Sequence, residues 1–191
     1  MGADIHMYVE YVLESDIKRY KKELKEKKQN IRKPYVHSFA DRLNPGRNYC
    51  MFGCLADGVR GSAEGSIEPK GLPPEDEMGY MSMCDNRFFI TEKGEGEGEC
   101  TLEKAKKWET YGRKIIYRDD VPTFIEHPDW HSHTWLSLKE YKQALELYKK
   151  NSAFDGDPFD GVPIEYQVVL DLMKSFKKNG AIPKLVFWFD N

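Results

Sequence analysis

The run Leu185-Val186-Phe187-Trp188-Phe189 is apolar at every position, so an extended chain here has two faces to cover. A strand of that kind belongs at the centre of a sheet, with Asp190 emerging at its end. A second strand pattern stands near the start of the sequence. Ala3, Ile5, Met7, Val9 and Tyr11 alternate with Asp4, His6, Tyr8 and Glu10, the period-two signature of a half-buried strand. These are the strongest strand patterns in the chain. They are expected to lie side by side in one sheet, which brings Asp4, His6 and Asp190 together.

The helical patterns are separate from these. Ser137-Leu138-Lys139-Glu140 has the form of a capping box, and Leu136 with Tyr141 is placed to staple it. Leu138, Tyr141, Leu145 and Tyr148 then recur at helical spacing, predicting a helix over 138–150. Pro163 at N1 and Asn179-Gly180 bracket another through Lys178, with Val169, Leu172 and Phe176 on one face. Tyr49, Phe52, Leu55 and Ala56 mark a short helix between Asn44-Pro45 and Gly58. Leu102–Trp108 reads as a further helix, and 87–91 and 114–117 as strands. The order does not repeat a βα unit. It predicts one α+β domain, a mixed or mostly antiparallel sheet with helices mainly on one face.

Two segments look like surface insertions. Residues 16–33 carry nine Lys and Arg against three acids, with Ile17, Tyr20 and Leu24 as a narrow helical stripe. Residues 92–101 include a Gly/Glu alternation with nothing to pack. The stretch from Gly58 to about Met83 is a long Gly- and Pro-bearing loop, the kind that borders sites. It holds neither G-x-x-x-x-G-K-[ST] nor G-x-G-x-x-G. Asp155, Asp157 and Asp160 only loosely match calcium-loop spacing and lack the terminal bidentate Glu.

The 191 residues suffice for a core without staples, and 13% aromatic content supports a folded chain. A formal net charge of −3 leaves no nucleic-acid or membrane footprint on the whole chain. No apolar run has the length of a membrane span, and Asp4 and His6 interrupt any signal segment. His6 also stands where a myristoylation motif needs Ser or Thr. The expectation is a cytoplasmic protein whose Cys50, Cys54, Cys84 and Cys100 are free thiols. Cys50 and Cys54, one helical turn apart, are read as packing residues, with a shared zinc as the alternative.

The candidate chemistry collects around histidine. Three of the five histidines, His127, His131 and His133, fall within seven positions ahead of the 138–150 helix, whose N-terminus favours an anion. Asp4 and His6 share a strand face, a spacing used by metal sites and by acid/base pairs. A cluster of Asp4, His6 and His131 beside that helix end is therefore expected, with His133 as a fourth member. Asp4, His6 and His131 are the tentative ligands for a divalent metal. Arg47 and Arg60 bracket the short helix and suit a phosphate, because a guanidinium fork binds two oxygens at once. Tyr49, Lys70, Ser132 and Trp135 complete the candidate ligand-binding set, with Tyr49, Trp130 or Trp135 available to stack a base.

Several motifs carry a resemblance. The opening Met-Gly-Ala-Asp-Ile-His, Arg-Asn-Tyr-x-x-Phe-Gly-x-Leu-Ala-Asp-Gly-Val-Arg, Gly-Leu-Pro, His-Ser-His-Thr-Trp-Leu-Ser-Leu and Val-Phe-Trp-Phe-Asp-Asn resemble a bacteriophage-encoded family of small proteins. Lys70 stands where that family has Arg before Gly-Leu-Pro. The resemblance implies a phage origin and the host cytoplasm, and by analogy an accessory protein that acts against host defence. Two functions follow as expectations. One is a phosphodiester-type hydrolase of a small nucleotide, using Asp4, His6, His131 and His133 with or without a divalent metal. The other is a non-catalytic protein that sequesters the nucleotide. Oligomerisation stays open.

Overall fold

The computed structural model describes residues 2–152 and 161–190. The acidic stretch with Asp155, Asp157 and Asp160 lies outside them. Along the chain run β1 (Ile5–Leu13), α1 (Glu14–Lys25), β2 (His37–Ser38), α2 (Tyr49–Leu55), α3 (Tyr80–Asp85), β3 (Arg87–Ile90) and β4 (Glu99–Cys100). Then come α4 (Leu102–Glu109), β5 (Ile115–Arg118), β6 (Val121–Glu126), β7 (His131–Ser137), α5 (Leu138–Ser152), α6 (Ile164–Lys178) and β8 (Ala181–Phe189). The strands divide into two four-stranded sheets, ordered β2-β1-β8-β7 and β4-β3-β6-β5. Every pairing is antiparallel except β3 with β4. The fold is α+β, with its strands in two sheets.

The two strongest strand patterns do pair. β1 and β8 run antiparallel from Ile5↔Phe189 to Leu13↔Ala181. One face of this ribbon presents Ile5, Met7 and Val9 beside Leu185, Phe187 and Phe189. It packs on Met51, Phe52 and Leu55 of α2, Tyr141, Leu145 and Tyr148 of α5, and Tyr166, Val169 and Met173 of α6. Each such side chain, fully buried, stabilises the fold by about 1.5–3 kcal/mol. The helices on this sheet sit mainly on this face, where their own apolar stripes point.

The other face was expected to be a polar, half-solvated one. It is buried: His6, Tyr8 and Glu10 are covered, along with Val186 and Trp188, by Trp130, Leu72 and the α3 region. Glu10 is 0% exposed, and a carboxylate there is tolerable only with partners. Its Oε1 accepts from the Gly79 N–H at 2.8 Å and from the Ser82 hydroxyl, and Lys184 Nζ stands 3.4 Å from Oε2. These bonds fasten the end of the long loop and the start of α3 to the sheet. Within that loop, α3 is a helix that sequence patterning missed.

The second sheet has its own small core of Cys100, Ala105, Ile115 and Ile125, flanked by Phe88 and Trp108. β5 and β6 meet through Asp119-Asp120, both at positive φ (48° and 61°), the backbone a two-residue hairpin turn requires. β6 escaped the sequence reading because Asp-Asp is not the usual Gly-bearing turn pair and Pro122 interrupts the strand pattern. As expected, α1 is a surface helix with no buried residue. Among the described residues no helix is long and apolar enough to cross a membrane.

Candidate functional site

The β1–β8 register sets the site. Beyond the last strand pair, the Asp190 N–H donates to the Asp4 carbonyl at 3.1 Å, and the Asp4 N–H donates to Asp190 Oδ1 at 2.8 Å. So clamped, Asp190 holds its Oδ2 2.9 Å from His6 Nε2. The other ring nitrogen of His6, Nδ1, lies 2.6 Å from Arg42 Nη1. A guanidinium has only donors, so Nδ1 must be the acceptor and Nε2 must carry the proton that goes to Asp190. The imidazole is thereby held neutral, in one tautomer. Arg42 reaches it from the chain after β2, where Leu43 and Met7 exchange backbone hydrogen bonds of 2.8 and 3.1 Å.

Asp85, at the end of α3, closes the group. Its Oδ2 accepts from the Tyr8 hydroxyl at 2.5 Å and stands 4.0 Å from Arg42 Nη1. Burial, and then the bond to Asp85, push the Tyr8 phenol well above its ordinary range, so it stays protonated. Aromatic rings wall the histidine in. Trp130 lies 4.9 Å and Trp188 6.3 Å from the His6 ring, and Trp130 is stacked by His127 at 3.8 Å. His133 packs against Trp188 at 5.8 Å. Burial pushes both His127 and His133 down to about 4, so both are neutral near pH 7.

Outward from Asp190 the polar chain continues. The Asp4 carboxylate receives Arg47 through two bonds, Nε to Oδ1 at 2.5 Å and Nη2 to Oδ2 at 2.8 Å. These hydrogen bonds hold the Asp4 carboxyl below its usual range. Arg47 and Tyr49 both close on Gly2, where an added Cβ would collide with the guanidinium and stand 3.2 Å from the phenol oxygen. Tyr49 opens α2, whose N-terminus is capped by the Asn48 side chain accepting from the Met51 N–H at 2.9 Å. Arg60 lies 5.3 Å from the centre of the Tyr49 ring, at a positive φ of 59° that only local constraint sustains in a non-glycine residue. Tyr49 and Arg60 line an open pocket of about 610 Å³ with Cys50, Gly61 and Asn151.

Of the residues singled out by sequence, Asp4, His6 and Arg47 are thus joined by hydrogen bonds through Asp190, and Tyr49, with Arg60 over its ring, meets Arg47 around Gly2. The rest are elsewhere. His131 pairs with Phe189 and stacks on its ring at 6.1 Å, whereas His6 pairs with Trp188, the neighbouring residue of β8. Adjacent residues of a strand face opposite ways, so His131 and His6 occupy opposite faces of the sheet. Nor does His131 stand at the mouth of α5: the segment 131–137 is a strand, which puts His131 about 20 Å of extended chain upstream of Leu138. Ser132, at a positive φ of 52° in the β7 bulge, hydrogen-bonds His131 at 2.9 Å. Lys70 stands 3.7 Å over the Trp135 ring and bonds Glu140 at 2.9 Å, bracing the cap of α5.

The expected metal triad does not form. Both Asp4 oxygens are held by Arg47, both His6 nitrogens are engaged, and His131 faces away. Among the described residues no three or more His, Cys, Asp or Glu side chains are grouped to hold a metal ion. Cys54 is buried and its thiol is pushed up to about 11, chiefly by that burial, which suits packing over thiolate chemistry. Arg42, Tyr8 and Asp85 were not foreseen. Tyr8 stood in the same alternation as His6 and could have been found there; Arg42 and Asp85 reach the site only through tertiary folding. No family model, curated protein or solved structure matches the chain.

Proposed function

We propose that this protein takes a small phosphate-containing ligand, a nucleotide, reaching from the Tyr49–Arg60 pocket past Arg47 to the Asp4–Asp190 end of the sheet, and that the His6–Asp190 pair there supplies acid–base chemistry for its hydrolysis. One observation carries this: Arg60 lies over Tyr49, Tyr49 and Arg47 both close on Gly2, and from Arg47 hydrogen bonds run through Asp4 and Asp190 to His6. Tyr49 offers a face for a base, and Arg60 and Arg47 offer forks for phosphate oxygens. His6 is the general base, because Asp190 fixes its tautomer and stabilises the imidazolium formed when Nδ1 takes a proton. The resemblance to a phage-encoded family makes host signalling nucleotides the first ligands to try.

A second reading has its own support. His6 is only 7% exposed and both its nitrogens are already satisfied, as suits a protein that encloses a nucleotide without cutting it. Incubation with cyclic dinucleotides and ADP-ribose-type molecules, followed by mass spectrometry, separates the two. A new product that disappears in His6→Gln establishes hydrolysis; intact ligand released on heat denaturation establishes sequestration. If no member of the panel is bound or altered, the nucleotide reading fails.

A further inference from the structure

We infer that Arg42 is the lock on His6 and that an anionic phosphate opens it, so that ligand capture and release of the base are a single event. This rests on the His6 site proposed above and names its regulation. Arg42 and Arg47 differ in what holds them. Arg47 has a two-bond pairing with the Asp4 carboxylate, whereas the closest contact of Arg42 is a neutral imidazole nitrogen at 2.6 Å. The nearest carboxylate oxygen to Arg42, on Asp85, is 4.0 Å away and is committed to the Tyr8 hydroxyl at 2.5 Å.

A guanidinium bonds an anionic oxygen about twice as strongly as a neutral acceptor. A phosphate arriving at the site therefore displaces no charged partner from Arg42, whereas Arg47 is shared between the phosphate and Asp4. The Arg42 side chain is 45% exposed and has solvent to swing into. The imidazole does not follow it, since Trp130, Trp188 and Asp190 hold the ring in place. Departure of Arg42 leaves the Nδ1 lone pair free, with Asp190 still on the opposite nitrogen. Arg42 is thus a positioning residue in the resting state and an anion ligand in the loaded one.

Carbethoxylation by diethyl pyrocarbonate, mapped to His6 by peptide mass spectrometry, reads this directly, because the reagent needs an unoccupied nitrogen lone pair. In the wild-type protein His6 resists labelling, and inorganic phosphate, against chloride at matched ionic strength, speeds it. Arg42→Met keeps a covering stem but has no donor, and raises the His6 labelling rate about tenfold, the factor one charge-assisted hydrogen bond is worth. Phosphate has no further effect in that variant. Wild-type labelling that ignores phosphate overturns the lock, and so does a folded Arg42→Met protein whose His6 stays protected. The phosphate arm needs no variant to fold. Phosphate-sensitive labelling without any nucleotide bound or cleaved sinks the proposed function alone; nucleotide turnover with phosphate-insensitive labelling sinks the lock alone.

Discussion

His6 and Glu10 lie four residues apart on the same buried face of β1, and they differ in what their partners do. At His6 a neutral ring is satisfied by one carboxylate and one guanidinium, both of which keep contact with solvent. Asp190→Ala strips the ring of one partner and the Asp4 N–H of its acceptor. Urea denaturation is expected to show a loss of about 1–3 kcal/mol, the cost of leaving buried polar groups unpaired. At Glu10 the charge itself is buried. Glu10→Ala leaves Lys184, whose own pKa is lowered chiefly by burial, without its counter-charge, and a loss of about 3–5 kcal/mol is expected. Arg47 contrasts with both. Its pairing with Asp4 is at the surface, so Arg47→Ala should cost less than about 1 kcal/mol of stability. The same variant should weaken nucleotide binding measured by calorimetry. Unchanged affinity would remove Arg47 from the site.

At the scale of elements, the junction of β7 with α5 is the most strongly specified point in the chain. The Ser137 hydroxyl accepts from the Glu140 N–H at 3.3 Å, and Glu140 Oε2 accepts from the Ser137 N–H at 2.8 Å, the reciprocal pair of a capping box. Burial works to raise the Glu140 carboxyl, but the bonds from Ser137 and Lys70 outweigh it and hold it below its ordinary range. Ser137→Ala is expected to destabilise the protein by about 1 kcal/mol in equilibrium unfolding, while Ser137→Asp, itself a good cap, should cost less. An equal loss in both would mean that the hydroxyl matters for β7 and not for the helix. The cap engages the Ser137 and Glu140 N–H groups at this helix end with side chains of the protein itself. The long 58–83 loop, read from sequence as site-bordering, is tied down by Glu10 through Gly79 and Ser82 and by the Gly71 N–H on the His133 carbonyl at 2.9 Å.

For the whole molecule, the histidines packed on Trp130 and Trp188 set the response to pH. His127 and His133 are held near 4 by burial, against about 6.5 for an unfolded histidine. Between these values the unfolded chain binds more protons than the folded one, so stability rises with pH through this window. It is fully present above about 6.5 and is lost as pH falls toward 4. Urea midpoints measured from pH 7.5 to 4 should drop across this range, and His133→Gln should flatten the drop. A midpoint that holds steady down to pH 4.5 would contradict the burial of both rings.

How much of this was legible follows from the range of each interaction. β1, β8, α5 and α6 were readable because period-two and 3.6-residue patterns, caps and turn residues act within a few positions. The pairing of the first and last strands followed from their being the strongest patterns, and Asp4, His6 and Asp190 came with it. The face each strand gives to which layer did not. The alternation of Asp4, His6, Tyr8 and Glu10 reads as a solvated face because nothing local shows that α3 and Trp130 cover it. His131 does not join His6 for a related reason: a one-residue difference in register, Phe189 in place of Trp188, turns a side chain to the opposite side of the sheet. The sequence by itself determined the most strongly patterned elements, β1, β8, α5 and α6, and the polar inventory, through short-range forces. Only the tertiary structure decided which carboxylate, guanidinium and imidazole meet, because register and layer stacking join residues such as His6 and Asp190 that lie 184 positions apart.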